Sequence, residues 1–152
     1  MIIHIPSMAV PAFKILTLLE NLTAYGEAVK VQRLLQDSCG TGQASECLIL
    51  DFSLFNHDLS WEAAVKEAGV ADAIIISISG AAELPVPIQR WMESWKERVL
   101  PNETALIIVF GPESPNPGKE RDLLGYFQTM AAKHGLDFFC NRSGYKGLIP
   151  SA

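Results

Sequence analysis

Apolar positions along the chain switch repeatedly between unbroken runs and helical spacing. Five runs read as buried strands: Phe13-Lys-Ile-Leu-Thr-Leu-Leu19, Cys47-Leu-Ile-Leu-Asp-Phe52, Ala73-Ile-Ile-Ile-Ser-Ile78, Ala105-Leu-Ile-Ile-Val-Phe110 and Leu136-Asp-Phe-Phe-Cys140. Between them the apolar residues recur every three or four positions. A helix is predicted from about Thr23, with Ala24, Ala28, Val31 and Leu35 on one face, closing at Cys39-Gly-Thr-Gly42. The next begins near Ser60, buries Trp61, Ala64, Val65 and Ala68, and stops at Gly69. A third carries Ile88, Trp91, Met92, Trp95 and Val99. The fourth follows Pro117-Gly118, presents Leu123, Phe127, Met130 and His134, and ends at Gly135.

Strands this continuously apolar have both faces covered, as in a parallel sheet flanked by helices. Strict alternation with right-handed crossovers then predicts an α/β fold: a three-layer α/β/α, doubly wound, five-stranded parallel sheet in the order 2-1-3-4-5. One domain is expected over residues 1–152, with residues 1–12 a leader and residues 141–152 an irregular tail.

Composition narrows the partners. The hydrophobic share is 49% and the charged share 19%, enough apolar surface for a core in a chain of 152 residues. The net charge of −5 and the scattered Lys and Arg argue against a nucleic acid partner. No apolar run reaches membrane-spanning length, and the start Met1-Ile-Ile-His-Ile-Pro6 lacks a basic leader, so neither a membrane nor a secretory route is expected. Cys39, Cys47 and Cys140 form no CxxC pair, which predicts reduced thiols in a cytoplasmic protein, Cys140 in the core and no metal site. The expected partner is a small-molecule ligand or a protein, and a homo-oligomer is compatible with the sequence.

In such a sheet ligands bind beyond the carboxyl ends of the strands, where the order reverses between the first and third. Two loops reach that place. Glu20-Asn-Leu-Thr-Ala-Tyr-Gly26 follows the first strand and offers a helix N-terminus, the expected anion site. Ser77-Ile-Ser-Gly-Ala-Ala-Glu-Leu-Pro-Val-Pro87 follows the third, with small side chains that allow close backbone approach.

The stretch Glu20-Asn-Leu-Thr-Ala-Tyr-Gly-Glu-Ala-Val29 resembles the phosphate loop and first helix of the flavodoxins. That family wraps the FMN phosphate with Ser/Thr-x-Thr-Gly-x-Thr. Thr23 stands at the central threonine, while Asn21, Ala24 and Gly26 replace other signature residues. Asp72-Ala-Ile-Ile-Ile76 with Leu84-Pro85 and Ile88 is similar to the third strand and Pro-led helix of the NADPH-dependent FMN reductases. Their Pro-Glu-Tyr-Asn flavin segment corresponds, with one residue deleted, to Ile78-Ser-Gly-Ala81. The resemblance implies a flavodoxin-like fold and an FMN-binding, NAD(P)H-dependent reductase with a divergent site. Its FMN would lie with Asn21, Thr23 and Tyr25 at the phosphate end and Ser79, Gly80 and Ala81 along the ring.

The alternative is a non-catalytic binding or regulatory module resembling a response-regulator receiver. Receivers need an acidic pair, a phosphoacceptor Asp and a Lys, where this chain has Glu20-Asn21, Ser77 and Asn141-Arg142. The segment Gly111-Pro-Glu-Ser-Pro-Asn-Pro-Gly-Lys119 sits where a P-loop belongs, but six residues separate its glycines and its prolines remove donors, so a surface loop is expected. Gly40-x-Gly42 follows a helix and reads as its stop. His57 with Ser77 or Ser79 lacks an orienting carboxylate, and Glu83 reads as solvated. Trp91 and Trp95, one turn apart, read as core; a rotated third helix would instead turn them into a partner surface.

Overall fold

The structure is a computed structural model, and it describes residues 13–38, 45–56, 58–79, 84–97, 104–111, 117–142 and 149–150. Strand β1 (Phe13–Leu19) leads through a 3₁₀ turn at Leu22–Ala24 into α1 (Tyr25–Ser38). Then come β2 (Ser45–Asp51), a 3₁₀ segment at Phe52–Asn56 and α2 (Asp58–Ala68). After β3 (Ala73–Ile78), α3 (Val86–Glu93) continues as a 3₁₀ turn over Ser94–Glu97. The chain ends with β4 (Ala105–Phe110), α4 (Pro117–His134), β5 (Asp137–Arg142) and β6 (Ile149–Pro150).

The five predicted strands are parallel neighbours in the order β2-β1-β3-β4-β5, as expected. The tail departs from the irregular course expected of it. Asn141 and Arg142 extend β5, and Ile149–Pro150 pairs antiparallel with it, making six strands. Proline suits that position because an edge strand can spare the donor.

Two apolar layers flank the sheet. On one face, Leu16, Ile74, Ile76, Ile78, Leu106 and Ile108 pack against side chains of α2, α3 and α4. On the other, Ile15, Ile75, Ile107 and Val109 meet Val31 and Leu35 of α1. A buried hydrogen bond from Gln32 Nε2 to Thr17 Oγ1 (2.8 Å) also ties α1 to β1. Trp91 and Trp95 are fully buried, so the third helix turns its indoles into the core and not toward a partner. Phe55, Trp91, Trp95 and His134 stack edge to face in sequence, with centroids 5.4, 4.9 and 5.7 Å apart. Cys140 is core, as expected, and Cys47 is exposed.

Helix ends follow from local chemistry. Pro85 sits at the N-cap of α3 and Pro87 in its first turn, where missing N–H groups cost nothing. At the end of α4, Gly135 takes φ 71°, Leu136 N–H donates to Ala131 O (2.8 Å) and Gly135 N–H to Ala132 O (3.4 Å). That paired closure needs a left-handed residue, which glycine adopts without strain.

β2 differs from the other strands. Its outer edge has no partner strand among the described residues, and Leu48 and Ile49 are 37% and 38% exposed. The expectation that both faces of every strand are covered therefore holds for β3 and β4 and fails at β2. Among the described residues no helix is long and apolar enough to cross a membrane. The expected leader (residues 1–12) and the glycine-rich stop at Cys39–Gly42 lie outside the described residues, as do Val99 and the side chain of Trp61.

Candidate functional site

Strand register brings the two loops together. Leu19 pairs with Ser77, and Ile78 with Phe110, so β1, β3 and β4 end at nearly the same level. Backbone bonds carry the alignment one step further: Glu20 N–H donates to Ser77 O (3.0 Å) and Gly111 N–H to Ile78 O (2.9 Å). Glu20, Asn21, Ser79 and Gly111 thus share the carboxyl edge at the point where strand order reverses. Of the six residues named for the site, Asn21 and Ser79 meet directly, through a long 3.5 Å contact from Asn21 Nδ2 to Ser79 O. Thr23 and Tyr25 flank them, both exposed, Tyr25 at 46%. Gly80 and Ala81 lie outside the described residues, as do His57, Glu83 and Pro112–Asn116.

The first loop is occupied with itself. Asn21 has extended backbone and stands before the 3₁₀ turn, where its Oδ1 accepts from Ala24 N–H at 3.2 Å. This is the N-cap role for which asparagine is favoured, filling a donor that the turn would otherwise leave open. The same N–H also bonds Asn21 O at 3.1 Å, and Asn21 Nδ2 donates to Glu20 Oε1 at 3.2 Å. Donor and acceptor ends of the Asn21 amide are both engaged within the loop. Charge points the same way. Glu20–Gly26 contains no Lys or Arg, Glu27 occupies the first turn of α1, and the nearby cation Lys30 pairs with Glu27 at 3.2 Å. Against the anion site expected at this helix start stand one capped donor and acidic side-chain charges.

Ser77, at the place of a receiver's phosphoacceptor, is fully buried and donates its hydroxyl to Ala24 O at 2.7 Å. That bond fastens the start of α1 to β3 and leaves no free nucleophile. Ser79, two residues on, is the contrast. It is 3% exposed, and its Oγ has no hydrogen-bond partner among the described residues. An unpaired buried hydroxyl costs about 1–3 kcal/mol, and each such group in a native fold calls for a reason. Gly111 lies against it: a Cβ there would stand 3.3 Å from both Ser79 Cβ and Ser79 Oγ, so a larger residue would crowd the serine. Sequence reading placed Gly111 in a surface loop and missed its role as the neighbour that leaves room beside Ser79. The signal available was its position directly after β4, at the edge where ligands approach.

The Tyr126 hydroxyl and the Trp91 and Trp95 indole N–H are also buried without partners among the described residues; the indoles lie in the stacked aromatic row, where ring faces provide weak acceptors. Two concavities lie toward the amino side of the sheet. One, of about 170 Å³ between β1, β2 and α2, is lined by Lys14, Glu46, Leu48 and Glu67; the other, of about 490 Å³, lies between α4 and β5. The first is below the size of ordinary ligand pockets, and both are on the wrong side for this fold. Cys47 lies on the β2 edge. Desolvation pushes its thiol up, against a weaker pull from Gln36 Nε2 at 3.6 Å, so it is not an activated nucleophile. Among the described residues no group of three or more His, Cys, Asp and Glu side chains could hold a metal.

The architecture matches a solved structure. The chain superposes on an NADH:FMN oxidoreductase in its apo form with a TM-score of 0.56, over 86% of this chain and 76% of that one, at 15% identity. The fold is flavodoxin-like. No protein-family model matches the chain, and no curated protein matches it. At 15% identity the likeness speaks for the scaffold, and any cofactor must be judged on the residues present. For FMN the two ends of this edge differ. At the β3–β4 end a buried hydroxyl without a partner among the described residues lies beside a glycine. At the β1 end Asn21 caps the turn and acidic side chains fringe it, a poor setting for a phosphate.

Proposed function

We propose that this chain is a flavin-binding, NAD(P)H-dependent reductase with a divergent site, FMN being the flavin on which the reading is founded. The observation that carries it is the buried Ser79 hydroxyl, without a partner among the described residues and set beside Gly111 on the edge where flavodoxin-like proteins receive ligands. Its fold likeness to an NADH:FMN oxidoreductase supports the same reading.

In this reading Ser79 Oγ hydrogen-bonds a ring heteroatom, with Gly80 and Ala81 the next residues assigned to the ring. The exposed ring of Tyr25 is available to border the ligand, and Thr23 offers a hydroxyl at the rim. A bound flavin would supply the hydride-accepting chemistry, so the chain needs no acid or base of its own. Its work is to position the ring and keep water from one face.

A visible absorption spectrum of the purified protein, followed by FMN titration monitored by flavin fluorescence, tests the proposal. Flavin absorbance or saturable quenching at micromolar FMN is expected, and FMN-dependent NAD(P)H oxidation should accompany it. Absence of both colour and quenching sinks the reading.

A further inference from the structure

Resting on that flavin reading, we infer that the site holds its ligand by the ring and not by a phosphate, so that riboflavin binds as well as FMN. The juxtaposition that carries this is the self-capped Asn21 loop beside the buried Ser79 hydroxyl, unpaired among the described residues.

A phosphate seated at a helix start needs free N–H groups, hydroxyls or a cation. Here the Ala24 N–H already serves both Asn21 Oδ1 and Asn21 O. Freeing it would also disturb the Asn21 Nδ2 contacts with Glu20 Oε1 and Ser79 O, because one amide makes all three side-chain bonds. The Ala24 carbonyl, on the same residue, is fixed to Ser77 Oγ, which holds the turn against β3. A dianion arriving at this place meets the Glu20 carboxylate and the acidic first turn of α1, with Lys30 engaged by Glu27. The hydroxyls of this loop are those of Thr23 and Tyr25, both on exposed side chains. The deeper end has the opposite character: Ser79 Oγ is buried and unpaired among the described residues, a group that a neutral ring heteroatom can satisfy.

The test is a pair of fluorescence titrations, riboflavin and FMN, in the same buffer at low and moderate salt. Dissociation constants within about threefold of each other, with little salt dependence, are expected. A phosphate held by two or three charge-assisted bonds would favour FMN by about a hundredfold or more. Asn21→Gly, which removes the Oδ1 acceptor and the amide's other contacts, leaves the Ala24 N–H only its bond to the residue-21 carbonyl and keeps a tolerated N-cap residue, should shift preference toward FMN several-fold. Glu20→Gln should shift it the same way, whereas Ser79→Ala should weaken both flavins together. FMN tighter than riboflavin by tenfold or more in the unaltered protein overturns the inference and leaves the flavin reading standing. Failure of both flavins to bind overturns the two together.

Discussion

The two ends of the carboxyl edge are built on opposite principles. At the β1 end, the Asn21 amide, the Ala24 N–H and carbonyl, and the Ser77 hydroxyl are joined in one local set of hydrogen bonds. At the β3–β4 end, Ser79 keeps a buried hydroxyl with no partner among the described residues, and Gly111 lies against it without a side chain. A loop that satisfies itself is stable without a ligand and gains little from one. A buried donor left open costs stability until something pairs it. The contrast shows why a scaffold match alone misleads: in flavodoxins the loop after β1 is the phosphate grip, and here the same loop is a closed cap.

Substitutions can break or sharpen this contrast. The largest effect is expected from Gly111→Ala, which forces a methyl to 3.3 Å from Ser79 and should cost about 1–3 kcal/mol by overpacking, read from urea unfolding. Ser77→Ala comes next. It removes a buried 2.7 Å bond and should lower stability by about 1–2 kcal/mol, with faster amide exchange at the start of α1. Asn21→Ala should cost about 1 kcal/mol through the lost cap, and Asn21→Asp, which retains the acceptor, should recover most of it. Ser79→Ala should have the smallest effect and the opposite sign. Removing a hydroxyl that has no partner leaves the ligand-free protein unchanged or up to about 1 kcal/mol more stable.

Much of the scaffold could be read in advance because the interior strands obey one simple rule. β1, β3 and β4 have the predicted bounds, since each is a short apolar run bordered by turn residues. β2 begins two residues earlier than its apolar run, at Ser45-Glu46, because an edge strand can face water with polar side chains. β5 begins one residue later, because Leu136 N–H closes α4, and it runs on to Arg142 with the polar Asn141 buried in the ladder. Apolar patterning cannot show either shift. β6 escaped notice because two residues carry no period.

The shared edge of the two candidate loops was legible, and the state of their groups was not. Strand order and loop placement brought Asn21 and Ser79 to one edge, and the structure joins them. What patterning could not show was where each hydrogen-bonding group is spent. Asparagine before a helical pattern is a preferred N-cap, so the self-closure at Asn21 had a signal in the sequence, outweighed by the likeness of the loop to a phosphate grip. The opposite fates of Ser77 and Ser79 had none, because two serines two residues apart on a strand differ only in what the fold sets beside them.

The most direct measurement is equilibrium unfolding of the ligand-free Asn21→Ala and Ser79→Ala proteins side by side with the unaltered chain. The account predicts opposite signs: a lower midpoint for Asn21→Ala, and an equal or higher midpoint for Ser79→Ala. A loss of 1 kcal/mol or more in Ser79→Ala, about what a satisfied buried hydroxyl contributes, would contradict it by showing that the hydroxyl already has a partner in the free protein.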